Sequence, residues 1–339
     1  MKKVLIIKLG AIGDVVMASS ILSAAREKYG TDCNISWICG EIVAPLIKLF
    51  NNIDDVIVIN EKKLLTGNLF EKLSVLLGVW TKFFGKRYDE VLIPYFDKRY
   101  RLLALTLRTP KLKTFDNANR INTFVKGRYF ADEYAKLISE VDDFRMQRAK
   151  LASIVLHEAD EKVRTIIKSL PKPTILIAPA GAKNLINYDS LRRWPIENYV
   201  ELVKLLNQKN ITPILIGSEG DKWAEDYFNS TNYISLIGKT SLTELLYIYT
   251  KSNLLITHDT GTMHLAKLTS LNVIALFGPT EQNRFIDKND TKFTSIFGGN
   301  ELYCAPCYDG KNFADCKNNI CMKNISAENV LAKVNGILR

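Results

Sequence analysis

The chain is short of several things at once. Only three of its 339 residues are histidine. No stretch reaches the ~18 uncharged apolar residues that a membrane-crossing helix needs. The nearest, LSVLLGVW at 73–80, is too short and lies between lysines. There is no G-x-G-x-x-G and no Walker A loop, which weighs against nicotinamide and P-loop chemistry. No D-x-D stands at a strand end, so a catalytic divalent metal is not required. No zinc-finger helix, RRM signature or aromatic-basic stripe points to nucleic acid. The N-terminal MKKVLIIKLGAIGDVV is not a signal peptide, because Lys8 and Asp14 interrupt it and no small-residue cleavage site follows. These absences leave a cytoplasmic globular protein as the expectation.

What is present fits that class. A length of 339 residues suits two domains of ~150 residues each. Hydrophobic residues make up 47% and charged residues 24%, as in ordinary globular domains. The net charge is +10 and is spread along the chain. Such a surface is either simply solvated or set to meet phosphorylated substrates or an anionic membrane face. Of the six cysteines, Cys33 and Cys39 lie in an apolar, strand-like segment and read as buried thiols.

Apolar runs alternate with helical patterns. KKVLIIKLG is a strand, and GDVVMASSILSAAREKYG has the spacing of one helix stopped by Gly30. CNISWICG and DDVIVIN are strands around a helical EIVAPLIKLF. NLFEKLSVLLGVWTKFFG is a long helix and YDEVLIP a strand. ADEYAKLISEV is a helix within the weakly patterned 116–150. After PKP the alternation restarts with TILIAPAG, PIENYVELVKLLNQKN, ITPILIGS, SLTELLYIYTKS, NLLITHD and NVIALFG, and it closes on the helix SAENVLAKVNGIL. Pro195 suits a first helical turn, and Ser241 with Glu244 reads as a capping box. Continuous buried strands joined by helices imply parallel sheets. The expected fold is α/β, with two Rossmann-like doubly wound domains, 1–160 and 161–339, facing across a cleft.

Ligands of such sheets bind beyond the carboxyl ends of the strands. The first strand runs into KLGAIGDVV, where Gly10 and Gly13 permit close backbone approach. Asp14 at the helix start reads either as an N-cap or as an ionised general base. In APAGAKNLINYDSLRRWP, the small residues Ala180, Gly181 and Ala182 expose N–H groups suited to phosphate oxygens, with Lys183, Arg192 and Arg193 adding charge. Glu219 in LIGSEGDKW follows a strand and is placed to bond a ribose diol. In THDTGTMHLAKL, Asp259, Thr260, Gly261 and Thr262 make a turn, and Met263 and His264 open a helix whose dipole favours an anion. His258 points to the other face and reads as a core residue.

KLGAIGDVV, PAGA…RRWP, DTGTMHLA and VIALFGPT, in that order, resemble glycosyltransferase family 9, the ADP-heptose:lipopolysaccharide heptosyltransferases. The likeness spans nearly the whole chain and is vaguest at 95–150. It implies a GT-B fold, an inverting mechanism, acceptor binding by the first domain and ADP-heptose binding by the second. It implies Asp14 as the base that activates the acceptor hydroxyl. It matches Gly13 and Asp14 to G-x-x-G-D, and Arg192 to the basic residue before R-W-P, where the family often has lysine. Glu219 matches loosely. Asp259, Thr260, Gly261, Thr262, Met263 and His264 match the turn implied to hold the diphosphate. The family's P-G-[AS] is P-A-G-A here, which shifts a small residue among Ala180, Gly181 and Ala182.

CAPCYDGKNFADCKNNICM places Cys304, Cys307, Cys316 and Cys321 in C-x2-C-x8-C-x4-C. Four thiols so spaced suit a structural zinc or iron site; the alternative is a loop of reduced cysteines. The leading expectation is heptose transfer from ADP-heptose to a lipopolysaccharide-type acceptor, with the basic surface held against phosphorylated lipid on the inner face of the cytoplasmic membrane. A protein or other glycan acceptor is the second reading. A nucleotide- or nucleic-acid-binding module without turnover is the third, supported by charge alone.

Overall fold

The computed structural model describes residues 1–115, 128–139, 150–156, 159–181, 190–309 and 312–339. The chain divides into two compact units, Met1–Val155 and Leu156–Arg339.

The first unit is built on five parallel strands, β1 (Lys3–Ile7), β2 (Asn34–Gly40), β3 (Asp55–Ile59), β4 (Glu90–Ile93) and β5 (Leu112–Thr114), in the order β3-β2-β1-β4-β5. The chain winds outward from β1 to β3, then returns to lay β4 beside β1. The β1/β4 junction is therefore the switch point of the sheet. Val4, Leu5, Ile6 and Ile7 are fully buried, the reason β1 reads as an unbroken apolar run.

The helix expected at 13–30 is two helices, α1 (Ile12–Ala18) and α2 (Ser20–Tyr29). Ser19 breaks it. Its hydroxyl donates to the Val16 carbonyl at 2.6 Å and accepts from the Ala152 amide at 3.0 Å. The helix expected in EIVAPLIKLF shrinks to one turn, α3 (Ala44–Ile47). After β3 come α4 (Glu61–Thr66) and α5 (Leu69–Phe83), the latter opened by an Asn68/Glu71 capping box. A 3-10 helix, Lys98–Ala104, follows β4, and α6 (Phe130–Ser139) packs on α1 and α2.

The second unit begins with α7 (Glu161–Ser169) and β6 (Ile175–Ala178). Next come α8 (Ile196–Gln208), β7 (Ile214–Leu215), a 3-10 helix at Glu219–Tyr227, β8 (Ile234–Ser235) and α9 (Leu242–Thr250). Then follow β9 (Leu254–His258), α10 (Gly261–Ala266), β10 (Asn272–Phe277), α11 (Gln282–Phe285) and β11 (Phe293–Phe297). The chain ends in α12 (Ile320–Lys323) and α13 (Ala327–Ile337). The sheet order is β11-β10-β9-β6-β7-β8, all parallel. The switch point lies between β6 and β9. Trp194 is buried in the core and donates its indole N–H to the Ile325 carbonyl at 2.8 Å, tying the start of α8 to the C-terminal helices. Both units are doubly wound α/β folds of the GT-B type.

Candidate active site

In the first unit, β1 delivers Lys8 and the turn after it delivers Asp14. Lys8 stands past the last strand residue, with its amide bonded to the Ile38 carbonyl at 3.1 Å. A lysine there must find a partner, because an isolated ammonium is costly to bury. Its Nζ lies 2.8 Å from Asp14 Oδ2 and 4.7 Å from the Tyr95 ring centroid. The pair is lopsided: the Lys8 side chain is 2% exposed and that of Asp14 41%. Asp14 is not an N-cap. Ala11 holds that position, and Asp14 sits third in the helix, its carboxylate anchored by the buried ammonium and otherwise open. Gly13 lies beside it in the first turn of α1.

In the second unit, the turns after β6 and β9 meet at the switch point. Gly181 has φ +96°, in the left-handed region that favours glycine. Its carbonyl accepts two bonds from Arg193, at 2.8 and 2.5 Å. Its N–H, read from the sequence as open to phosphate, instead donates to Asp221 Oδ1 at 3.0 Å. Ala182 and Lys183 lie outside the described residues.

The turn after β9 is organised by Asp259. Its side chain is 1% exposed, and Arg192 Nη1 approaches Oδ2 at 3.5 Å from a side chain 20% exposed. Thr280 donates to the same oxygen at 3.1 Å, and His264 Nε2 lies 3.5 Å from Oδ1. Burial alone would raise the Asp259 carboxyl. Arg192, aided by His264 and Thr280, overrides burial and holds it down at about 2. Asp259 is therefore a buried anion that orients two cationic or donor side chains. Thr260 caps α10 through its backbone only, and no side chain caps the first turn. The hydroxyls of Thr257, Thr260 and Thr262 cluster at 2.6–3.3 Å. Gly261 opens α10 beside them.

Two expectations change here. The Met263 side chain is fully buried in the core, so only its backbone faces the turn. Glu219 is exposed and pairs with Lys222 at 2.5 Å. Its neighbour Asp221 is the acid wired into the loop, accepting from Ser218 N and Oγ as well as from Gly181. His258 is buried and meets Tyr199 Oη at 2.9 Å through Nδ1. Burial first, then Arg192 and Arg193, push it down to about 3, so it is neutral.

Sequence reasoning missed Lys8, Asp221 and Thr280. A cation closing an apolar run, the S-x-x-D spacing of Ser218 and Asp221, and the threonine ending FGPT were the available signals.

Cys304, Cys307 and Cys316 follow β11 and Cys321 lies in α12. All four are free thiols. Burial, then Cys307, Cys316 and Cys304, push the Cys321 thiol up to about 11. Among the described residues, no three His, Cys, Asp or Glu side chains converge as a set of metal ligands.

A family model described as glycosyltransferase family 9 (heptosyltransferase) matches residues 113–317. The lipopolysaccharide core heptosyltransferase OpsX of Haemophilus influenzae is 23% identical over 292 residues, covering 81% of this chain and 79% of that protein. A family 9 glycosyl transferase from Veillonella parvula superposes with a TM-score of 0.75 at 20% identity, over 99% of this chain and 97% of the other. The ADP-heptose lps heptosyltransferase II of Escherichia coli gives 0.73 at 19% identity, over 100% and 98%.

Proposed function

Because the chain belongs to glycosyltransferase family 9, the heptosyltransferases, and is thus a glycosyltransferase, we propose that it moves a heptose from ADP-heptose to a lipid-linked lipopolysaccharide-core acceptor with inversion. The observation that carries the proposal is the exposed Asp14 carboxylate anchored by buried Lys8 at the end of β1. A carboxylate so held is positioned to take the proton of an acceptor hydroxyl as that oxygen attacks the anomeric carbon.

The bond from the anomeric carbon to the diphosphate breaks as the new glycosidic bond forms, and ADP leaves with the charge. The second unit is built for that charge. Arg192 offers its partly exposed guanidinium, fixed by Asp259, and the first turn of α10 offers N–H groups with Thr260 and Thr262 hydroxyls beside them. Gly181, whose carbonyl anchors Arg193, shapes the neighbouring turn. No step needs a metal ion.

The four cysteines are a separate proposal: a structural zinc or iron site, supported by four free thiols in the spacing C-x2-C-x8-C-x4-C. About one metal per chain by elemental analysis of protein purified under reducing conditions supports it, and none overturns it.

No helix among the described residues is long and apolar enough to cross a membrane. We place the enzyme on the cytoplasmic face of the inner membrane, held by its surface charge of +10. The test of function is ADP release from ADP-heptose, with and without a lipopolysaccharide-core acceptor, for wild type and Asp14→Ala. Acceptor-dependent release that falls about 10²–10⁴-fold in Asp14→Ala is expected. Unchanged release in the variant removes Asp14 as the base. Transfer to a co-expressed protein instead of lipid replaces the acceptor.

A further inference from the structure

The first unit carries apolar surface that its fold does not use. Helix α5 buries Val79 and Phe83 against the sheet, yet Leu69, Leu73 and Leu77 stand exposed. Their spacing of four puts them on one stripe. Phe70, 84% exposed, lies beside that stripe, and Phe84, 80% exposed, follows the helix. The stripe is flanked by the 3-10 helix Lys98–Ala104, because Trp80 donates its indole N–H to the Leu102 carbonyl at 2.6 Å. Leu102 and Leu105 are exposed too. Single exposed leucines need no explanation, but a patch assembled from three segments does.

Between α4, α5 and the 3-10 helix lies a cavity of about 150 Å³. Leu64, Leu76, Leu103 and Tyr100 line it, together with two cations, Lys72 and Arg99. Charge follows the same segment. Residues 61–105, which carry α4, α5 and the 3-10 helix, hold nine Lys and Arg against five Asp and Glu, a net +4 of the chain's +10. Apolar side chains in a basic surround suit a layer that is anionic outside and apolar just beneath. A second copy of the chain would bring this charge against itself, which association disfavours.

The position also suits lipid. The Tyr100 ring lies 4.7 Å from the Tyr95 ring, and Lys8, the partner of Asp14, caps Tyr95 at 4.7 Å. Glu61 at the start of α4 lies beside Gly10 of the β1 turn. The patch thus begins at the carboxyl edge of the sheet that carries the base.

We propose that the exposed face of α5, with Phe84 and the 3-10 helix Lys98–Ala104, docks this protein on an anionic phospholipid bilayer, the Leu and Phe side chains entering the headgroup boundary. The inference deepens the reading of a lipid-linked acceptor and rests on it for its purpose, but its test needs no sugar. The full chain is sedimented with vesicles of phosphatidylcholine alone or mixed with phosphatidylglycerol, at low and high salt. Wild type should bind the anionic vesicles, with affinity falling as salt rises. The double variant Phe70→Ser/Phe84→Ser should bind at least about tenfold more weakly, from the apolar area lost. Both positions are exposed, so an unchanged thermal midpoint is expected for the variant, as is unchanged ADP release with a lipid-free acceptor fragment.

Binding to neutral vesicles as strong as to anionic ones overturns the proposal. So does equal binding by wild type and the double variant. Failure to bind either vesicle, with a dimer by light scattering that the double variant lacks, assigns the face to a second copy instead. Loss of ADP release in wild type with vesicle binding intact would strike the heptosyl-transfer reading and leave this one standing.

Discussion

Each unit holds a cation and a carboxylate at the switch point of its sheet, and the two pairs are turned opposite ways. In the first unit the cation, Lys8, is buried and the carboxylate, Asp14, faces out. In the second the carboxylate, Asp259, is buried and the cation, Arg192, is the more exposed member. In the proposed reading, the buried member of each pair positions its partner, and the more exposed member meets a ligand. An outward carboxylate suits a hydroxyl that must lose a proton. An outward guanidinium suits phosphate oxygens, which it can grip with two donors at once. One fold, used twice, thus presents opposite charge at equivalent places, which suits the proposed transfer from a diphosphate to a hydroxyl.

The sharpest way to break this comparison is to remove the outward cation. Arg192→Ala should lower turnover about 10²–10³-fold and weaken ADP binding by calorimetry, whereas Asp14→Ala should leave ADP binding as it is. Arg192→Lys should recover part of the loss, since charge returns but the fork does not. Equal damage to ADP binding by both alanine variants would dissolve the division of labour.

A smaller effect tests the buried member. Asp259→Asn keeps the shape and removes the anion that fixes Arg192 and His264. Turnover should fall about tenfold to 10²-fold through misplacement, with ADP affinity falling in parallel. A folded variant, checked by its thermal midpoint, with wild-type turnover and ADP affinity would make Asp259 a packing residue and nothing more.

Much of this arrangement is legible before any coordinates. Parallel strands buried on both faces are continuous apolar runs, so β1, β2, β6, β9 and β10 announce themselves. Site residues then follow from where strands stop, which is how Asp14 and the 259–264 turn emerge. The losses have physical causes. β5 and β8 are three and two residues long, and β11, FTSIF, is half-buried at a sheet edge, so none has a full apolar run. The break at Ser19 depends on an amide 133 residues away. Glu219 and Asp221 are both acids after one strand, and only the partnership with Gly181 separates them. Lys8 reads as a blemish in an apolar run until Asp14 is seen above it.

The smallest effect separates the two histidines of the second unit's turn. His258 and His264 flank the same loop, but His258 faces Tyr199 and the core while His264 faces Asp259. His258 is held neutral down to about pH 3, against an ordinary value near 6.5. Between those values the unfolded chain binds a proton that the folded chain refuses. Stability must then fall as pH drops below 6.5, by about 1.4 kcal/mol for each pH unit. Asp259, held at about 2, adds its own loss only as pH falls from 3.8 toward that value. Urea midpoints taken between pH 6.5 and 5.5, compared between wild type and a His258 variant, therefore report the histidine's share. His258→Gln should lose about 1 kcal/mol at pH 7.5 with the Tyr199 bond, and its stability should decline less steeply with acid, by close to one proton. Turnover at neutral pH should stay near wild type, because the imidazole bonds Tyr199 in the core rather than Asp259. An unaltered acid slope would mean that His258 already takes up its proton in the folded protein, and that the core around Tyr199 is wetter than its burial implies.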